Sequence, residues 1–221
     1  LHRVLTLLES RPAQEKCARI MPDLELLGFA PGWGRTAGRA RETLELLLQV
    51  ATIPQAESFL ELFSRLPLVR RVLLASVHGW FSQNDVLGRP DTGGQVVYVL
   101  DQARAIEDRL RAVWREAGVP AEPEVLILTR LIPEADGTTC DQRLEHVAGT
   151  RYAHILRVPF RSASGEIKRK WISRFEIWPY LERFSIDAEH ELLGELGGRP
   201  DLIIGNYSDG NLVASLTVQQ I

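Results

Sequence analysis

Four short, largely apolar runs punctuate the chain at residues 72–77, 125–129, 153–158 and 201–205, and what separates them is helical in period. A strand buried on both faces reads as such a run, because neither side of the sheet meets water. Between the first two runs, Val96, Val99, Leu100, Ala103, Ile106 and Leu110 make one helical face. After the third run, Pro179 suits a first helical turn, and Leu181, Phe184, Ala188, Leu192 and Leu196 continue the stripe. Residues 211–220 open another helix beyond the fourth. Parallel neighbours need a crossover long enough to hold a helix, so this alternation means βαβ units and a parallel sheet.

Residues 1–67 have a different period. Leu1, Val4, Leu5 and Leu8 recur at helical spacing, as do Leu44, Leu47 and Leu48. Phe59, Leu62, Phe63 and Leu66 form a third stripe after Ile53-Pro54. The Gly/Pro-rich stretch 28–34 reads as a loop, with Trp33 packed over the helices rather than exposed for binding. The expectation is a helical lead-in over 1–67, then an α/β, Rossmann-like parallel-sheet domain, incomplete, over 68–221. The chain starts at Leu1 and ends at Ile221 with Val213, Leu216 and Val218 still in pattern, so we expect a piece of a longer protein.

Composition excludes several classes of function. Lys and Arg total 26 against 29 Asp and Glu, a net charge of −3, which argues against a nucleic-acid partner. No apolar run approaches the roughly 20 residues of a membrane span. Cys17 and Cys140 fit neither metal nor disulfide spacing, and no Asp-x-Asp pair suggests a metal site. A reducing, cytoplasmic setting follows as an expectation.

In open parallel sheets, ligands bind outside the carboxyl ends of the strands. Two segments there are rich in polar groups. The first runs from His78 to Gln95 and includes Asp91-Thr92-Gly93-Gly94-Gln95. Two glycines at a helix start let backbone N–H groups approach an anion, and the helix dipole adds to the attraction. The third glycine of a dinucleotide fingerprint is missing. His78 follows the strand directly and could hydrogen-bond a sugar hydroxyl or developing phosphate charge. His2, His146, His154 and His190 lack such company, and Asp91 could cap the turn. The second segment, residues 205–211, holds Asn206, Tyr207, Ser208, Asp209 and Asn211. Those side chains suit a polyhydroxyl ligand, but Ser208 or Asp209 as a plain helix cap is the competing reading. In the basic and aromatic stretch 169–178, Arg174 is the side chain expected to reach the cleft.

Together these motifs resemble the sucrose synthases, retaining glycosyltransferases of the GT-B type. The likeness is carried by Val77-His78-Gly79-Trp80-Phe81, by 86–104 around Asp91-Thr92-Gly93-Gly94-Gln95, by Trp171-Ile172-Ser173-Arg174-Phe175, by Trp178-Pro179-Tyr180-Leu181-Glu182, and by 200–211. Gly32-Trp33-Gly34 resembles the family's regulatory region, while Trp80 stands where the family commonly has Tyr. The resemblance implies interconversion of sucrose plus a nucleoside diphosphate, UDP or ADP, with nucleotide-glucose plus fructose. It implies catalysis by His78, with Gly93, Gly94, Gln95 and Arg174 on substrate; Asn206 and Asp209 are expected there from the polar chemistry of their own segment. It also implies no cofactor or metal, and a homo-oligomer for the full-length protein. The donor-binding half would lie beyond Ile221, so the isolated chain is expected to be inactive. A sucrose-phosphate synthase-like transferase and a non-catalytic sugar- or phosphate-binding module are the alternatives.

Overall fold

The computed structural model describes residues 1–221. They divide into two compact units, one of residues 1–68 with 109–122, the other of residues 69–108 with 123–221.

The first unit is helical: α1 (His2–Glu9), α2 (Cys17–Leu26), α3 (Ala37–Thr52) and α4 (Ala56–Arg65). Its core joins Val4, Leu5 and Leu8 of α1 to Ile20 and Leu24 of α2 and to Ala37, Ala40 and Leu44 of α3. Trp33 packs against this core, edge-on to Phe29 with ring centroids 5.9 Å apart. Helix α2 is absent from the sequence expectation. Pro22 lies inside it and costs a backbone hydrogen bond. Burial of Cys17, Ile20 and Leu24 along one face offsets that loss.

The second unit is a five-stranded sheet in the order β3-β4-β2-β1-β5. Its strands are β1 (Arg71–Ala75), β2 (Glu124–Leu131), β3 (Leu144–His146), β4 (Ala153–Pro159) and β5 (Leu202–Gly205). All pairings are parallel except that of β3, which runs antiparallel along the edge of β4. This edge strand adds one antiparallel pairing to the parallel sheet expected from the sequence. It is three residues long and largely exposed, so it carries no apolar run to read. It also brings His146 opposite His154, ring centroids 5.2 Å apart, although the sequence shows neither with a partner.

Helix α5 (Gly94–Ala117) links β1 to β2, α6 (Leu181–Glu195) links β4 to β5, and α7 (Tyr207–Gln220) follows β5. Alternate residues of the central strands point to opposite faces. Leu73, Leu126, Leu128, Leu156 and Val158 share one core with Leu181, Phe184, Ala188, Leu192 and Val213 of α6 and α7. Val72, Leu74, Val125, Ile127 and Ile155 alternate with them and are equally buried. Pro179 lies in a 3₁₀ turn, Trp178–Tyr180, leading into α6 rather than in the helix itself.

The chain leaves β1 for β2 and β4 on one side, then returns through α6 to place β5 on the other. The strand order thus reverses at β1. In open α/β sheets the crevice at that reversal, outside the carboxyl ends, is where ligands bind. No helix is long and apolar enough to cross a membrane.

Candidate functional site

β1 and β5 are in register, Ala75 beside Gly205, so both chains leave the sheet at the same level. Asn206 N–H donates to the Ala75 carbonyl at 2.8 Å and keeps them together for one more residue. Both polar segments read from the sequence therefore converge at the reversal point.

Their contact is made by His78 and Asp209. His78 Nδ1 lies 2.9 Å from both carboxylate oxygens, and His78 N–H donates to Oδ2 at 3.1 Å. Both side chains are almost wholly buried. Capping of α7 by Ser208 or Asp209 is thereby corrected. The helix begins at Tyr207, four residues earlier than expected, behind Asn206, with no side-chain cap. Asp209 is turned towards β1 instead.

Three backbone features hold this arrangement. A Cβ on Gly210 would lie 2.5 Å from the Ala75 carbonyl oxygen, so only glycine lets α7 approach β1 so closely. Tyr207 has φ of 61°, a conformation costly for a bulky side chain. Its ring stands edge-on to His78, centroids 5.0 Å apart. On the other side of His78, Gly79 has φ of 76° and a Cβ there would collide with the Asp91 carbonyl. Trp80 N–H donates to Thr92 Oγ1 at 2.8 Å, tying the His78 loop to the loop that carries the glycine pair.

Gly93 and Gly94 are exposed. Neither has positive φ, and a Cβ on either would meet nothing within 4 Å. A left-handed turn is therefore not what calls for glycine at these positions. Gly94 is the first residue of α5, where backbone N–H groups lack intrahelical partners. Gln95 is buried, and its Nε2 donates to Ser76 Oγ at 2.6 Å. Its side chain is spent inside the protein, and only its backbone N–H belongs to the helix start. Arg174 is exposed. Its N–H donates to Asp91 Oδ2 at 2.8 Å while its guanidinium lies over Phe175, so Asp91 fastens a neighbouring loop rather than capping its own turn.

Asn206 is buried, its Oδ1 accepts from the Tyr98 hydroxyl at 3.0 Å, and its Nδ2 has no partner. Burial raises the Tyr98 phenol above its ordinary pKa, with Tyr207 and Asp209 adding to the effect, so it stays a hydrogen-bond donor. Tyr98 and Ser76 escape sequence reasoning. A signal for Tyr98 existed, since position 98 follows Gly94 by four and lies on the same face of α5. Nothing local marks Ser76. Beside the site, a cleft of about 430 Å³ is lined by Trp80, Glu134, Ala135, Asp136, Lys170 and Trp171. No group of three or more His, Cys, Asp or Glu side chains converges as a metal site.

A helix-covered, mostly parallel sheet with polar loops gathered at its order reversal defines a Rossmann-like domain. Residues 57–221 match the family model of the sucrose synthase first GT-B domain. Over 221 residues the chain is 56% identical to the sucrose synthase of Acidithiobacillus caldus, covering all of this chain and 28% of that protein. The Thermosynechococcus vestitus sucrose synthase is 52% identical over 222 residues, 99% of this chain and 28% of that one. The Beta vulgaris sucrose synthase is 56% identical over 190 residues, 86% and 25% respectively. The chain belongs to the sucrose synthase family. It spans about 28% of the length of the bacterial relatives it matches.

Proposed function

We propose that this chain is the helical lead-in (1–67) and N-terminal Rossmann-like domain (68–221) of a glycosyltransferase. The whole protein moves a glucosyl group reversibly between sucrose plus a nucleoside diphosphate and nucleotide-glucose plus fructose. The observation that carries the reading is the pair Gly93-Gly94 at the start of α5, open on the Cβ side and free of backbone strain. Glycine is used where a backbone must come close to a ligand, and here the ligand is the diphosphate. Leaving of the glycosyl group develops negative charge on the phosphate oxygens, and the N–H groups of Gly94 and Gln95 are preorganised to meet it. Fructose occupies the reversal point, against His78, the unspent Asn206 Nδ2 and the exposed Arg174. The nucleotide sugar is substrate, and the reaction draws on no further cofactor.

The test is an assay of the full-length protein with nucleotide-glucose and either fructose or fructose 6-phosphate. Preference for fructose is expected; strong preference for the phosphate ester would transfer the chain to a sucrose-phosphate synthase activity.

A further inference from the structure

We propose that Asp209 is a positioning residue. It fixes the His78 ring with Nδ1 protonated, which leaves Nε2 to accept a hydrogen bond from a hydroxyl of the acceptor sugar, and it touches no ligand itself. This rests on the reading of His78 as a sugar contact.

Both Asp209 oxygens are turned to His78. Oδ1 and Oδ2 both face His78 Nδ1 at 2.9 Å, and Oδ2 also takes the His78 backbone N–H. A residue meant for a polyhydroxyl ligand would keep lone pairs open to the cleft. One meant to end a helix would turn back to the N–H groups of its own first turn, and Asp209 does not.

The chemistry sets the tautomer. An ionised carboxylate only accepts, so the ring nitrogen it faces carries the hydrogen. In neutral imidazole the other nitrogen is then an acceptor, and a carboxylate partner fixes both tautomer and ring orientation. Tyr207, edge-on at 5.0 Å, restricts the ring from the side. The backbone gives independent support. Glycine at 210 and a left-handed tyrosine at 207 bring the first turn of α7 against the end of β1, where Asp209 meets His78. Such conformations persist only where surrounding structure enforces them, and they gather at functional sites.

The experiment is a double-mutant cycle in the full-length protein with H78A, D209N and the combination. D209N is close to isosteric and is expected to lower kcat/KM for the acceptor sugar about 10- to 100-fold, the scale for loss of a group that orients a histidine. KM for the nucleotide-glucose should stay within about twofold, a selectivity that general destabilisation would not produce. In the H78A background D209N should cost nothing more, because residues acting through one another are not additive. As a second variant, D209A leaves a hole of carboxylate size, and added formate should restore activity in the presence of His78 but not in H78A. Equal losses from D209N with and without His78 overturn the proposal and leave the His78 reading standing. Loss of the fold in both Asp209 variants overturns it too, making Asp209 a purely structural residue. An H78A enzyme with unchanged kcat and acceptor KM removes the underlying reading, whatever Asp209 does.

Discussion

Arg157, which has no exposed surface, donates two hydrogen bonds to the Phe81 carbonyl, from Nε at 3.2 Å and Nη2 at 2.9 Å. The same guanidinium reaches Glu145 Oε2 at 2.5 Å and the Gln142 carbonyl at 3.0 Å. A cation buried in β4 thus holds the start of the loop that begins with His78.

Removing it should be costly. Arg157→Leu removes the charge partner of the Glu145 carboxylate and both guanidinium hydrogen bonds to the Phe81 carbonyl, and breaking a buried pair from one side typically costs about 3–5 kcal/mol. A fall in melting temperature of many degrees is expected by calorimetry. A variant melting like the wild type would show that water replaces the guanidinium without loss.

The same pair sets an acid limit. Burial pushes the Glu145 carboxyl up, but hydrogen bonds from Gln83, Thr139 and Arg157, with the Arg157 charge, outweigh it and hold the group below its ordinary value of 4.5. A carboxyl depressed in the folded state stabilises fully above its unfolded value, and that contribution fades as pH falls through the folded one. Urea midpoints should therefore drop as pH falls below about 4.5. Glu145→Gln should flatten that acid limb, and an unchanged slope would place the proton uptake elsewhere.

Gly94→Ala separates ligand contact from backbone need. Nothing lies within 4 Å of the added Cβ and φ is not left-handed, so the melt should move by no more than a few degrees. Alanine even favours the helix. Activity of the full-length enzyme should nevertheless fall by roughly two orders of magnitude, the scale for one lost oxyanion-type donor. Full activity with a normal melt would remove the diphosphate from this loop.

His78→Ala should lower turnover about a hundredfold, as for other positioned proton-handling groups. The variant also strands a buried carboxylate at Asp209, so the melt must be followed alongside steady-state kinetics. Unchanged kcat and fructose KM would return His78 to a structural role.

Much of the sheet was legible because β1, β2 and β4 are buried on both faces and leave apolar runs that local reading detects. β3 left no trace, since its residues are held by pairing with β4 rather than by burial of their own. At the site, local pattern located both polar loops but not what they do to each other. Asp209 reads as a sugar contact or a helix cap, because both are judged from its own loop and turn. Its actual partner is 131 residues away, and only the strand order reveals it. For Gln95 the sequence gives its place beside Gly94 at the helix start but not the side-chain bond to Ser76, which the sheet and helix bring together.

β5 is the fifth strand of this sheet to leave the ribosome, yet it lies beside the first. Chains are made from the N-terminus, and domains fold as their parts emerge. A nascent chain can pair β1, β2 and β4 while His78 still has no carboxylate at its ring. The His78–Asp209 contact forms only when the fifth strand docks against the first, after most of the sheet it stands on.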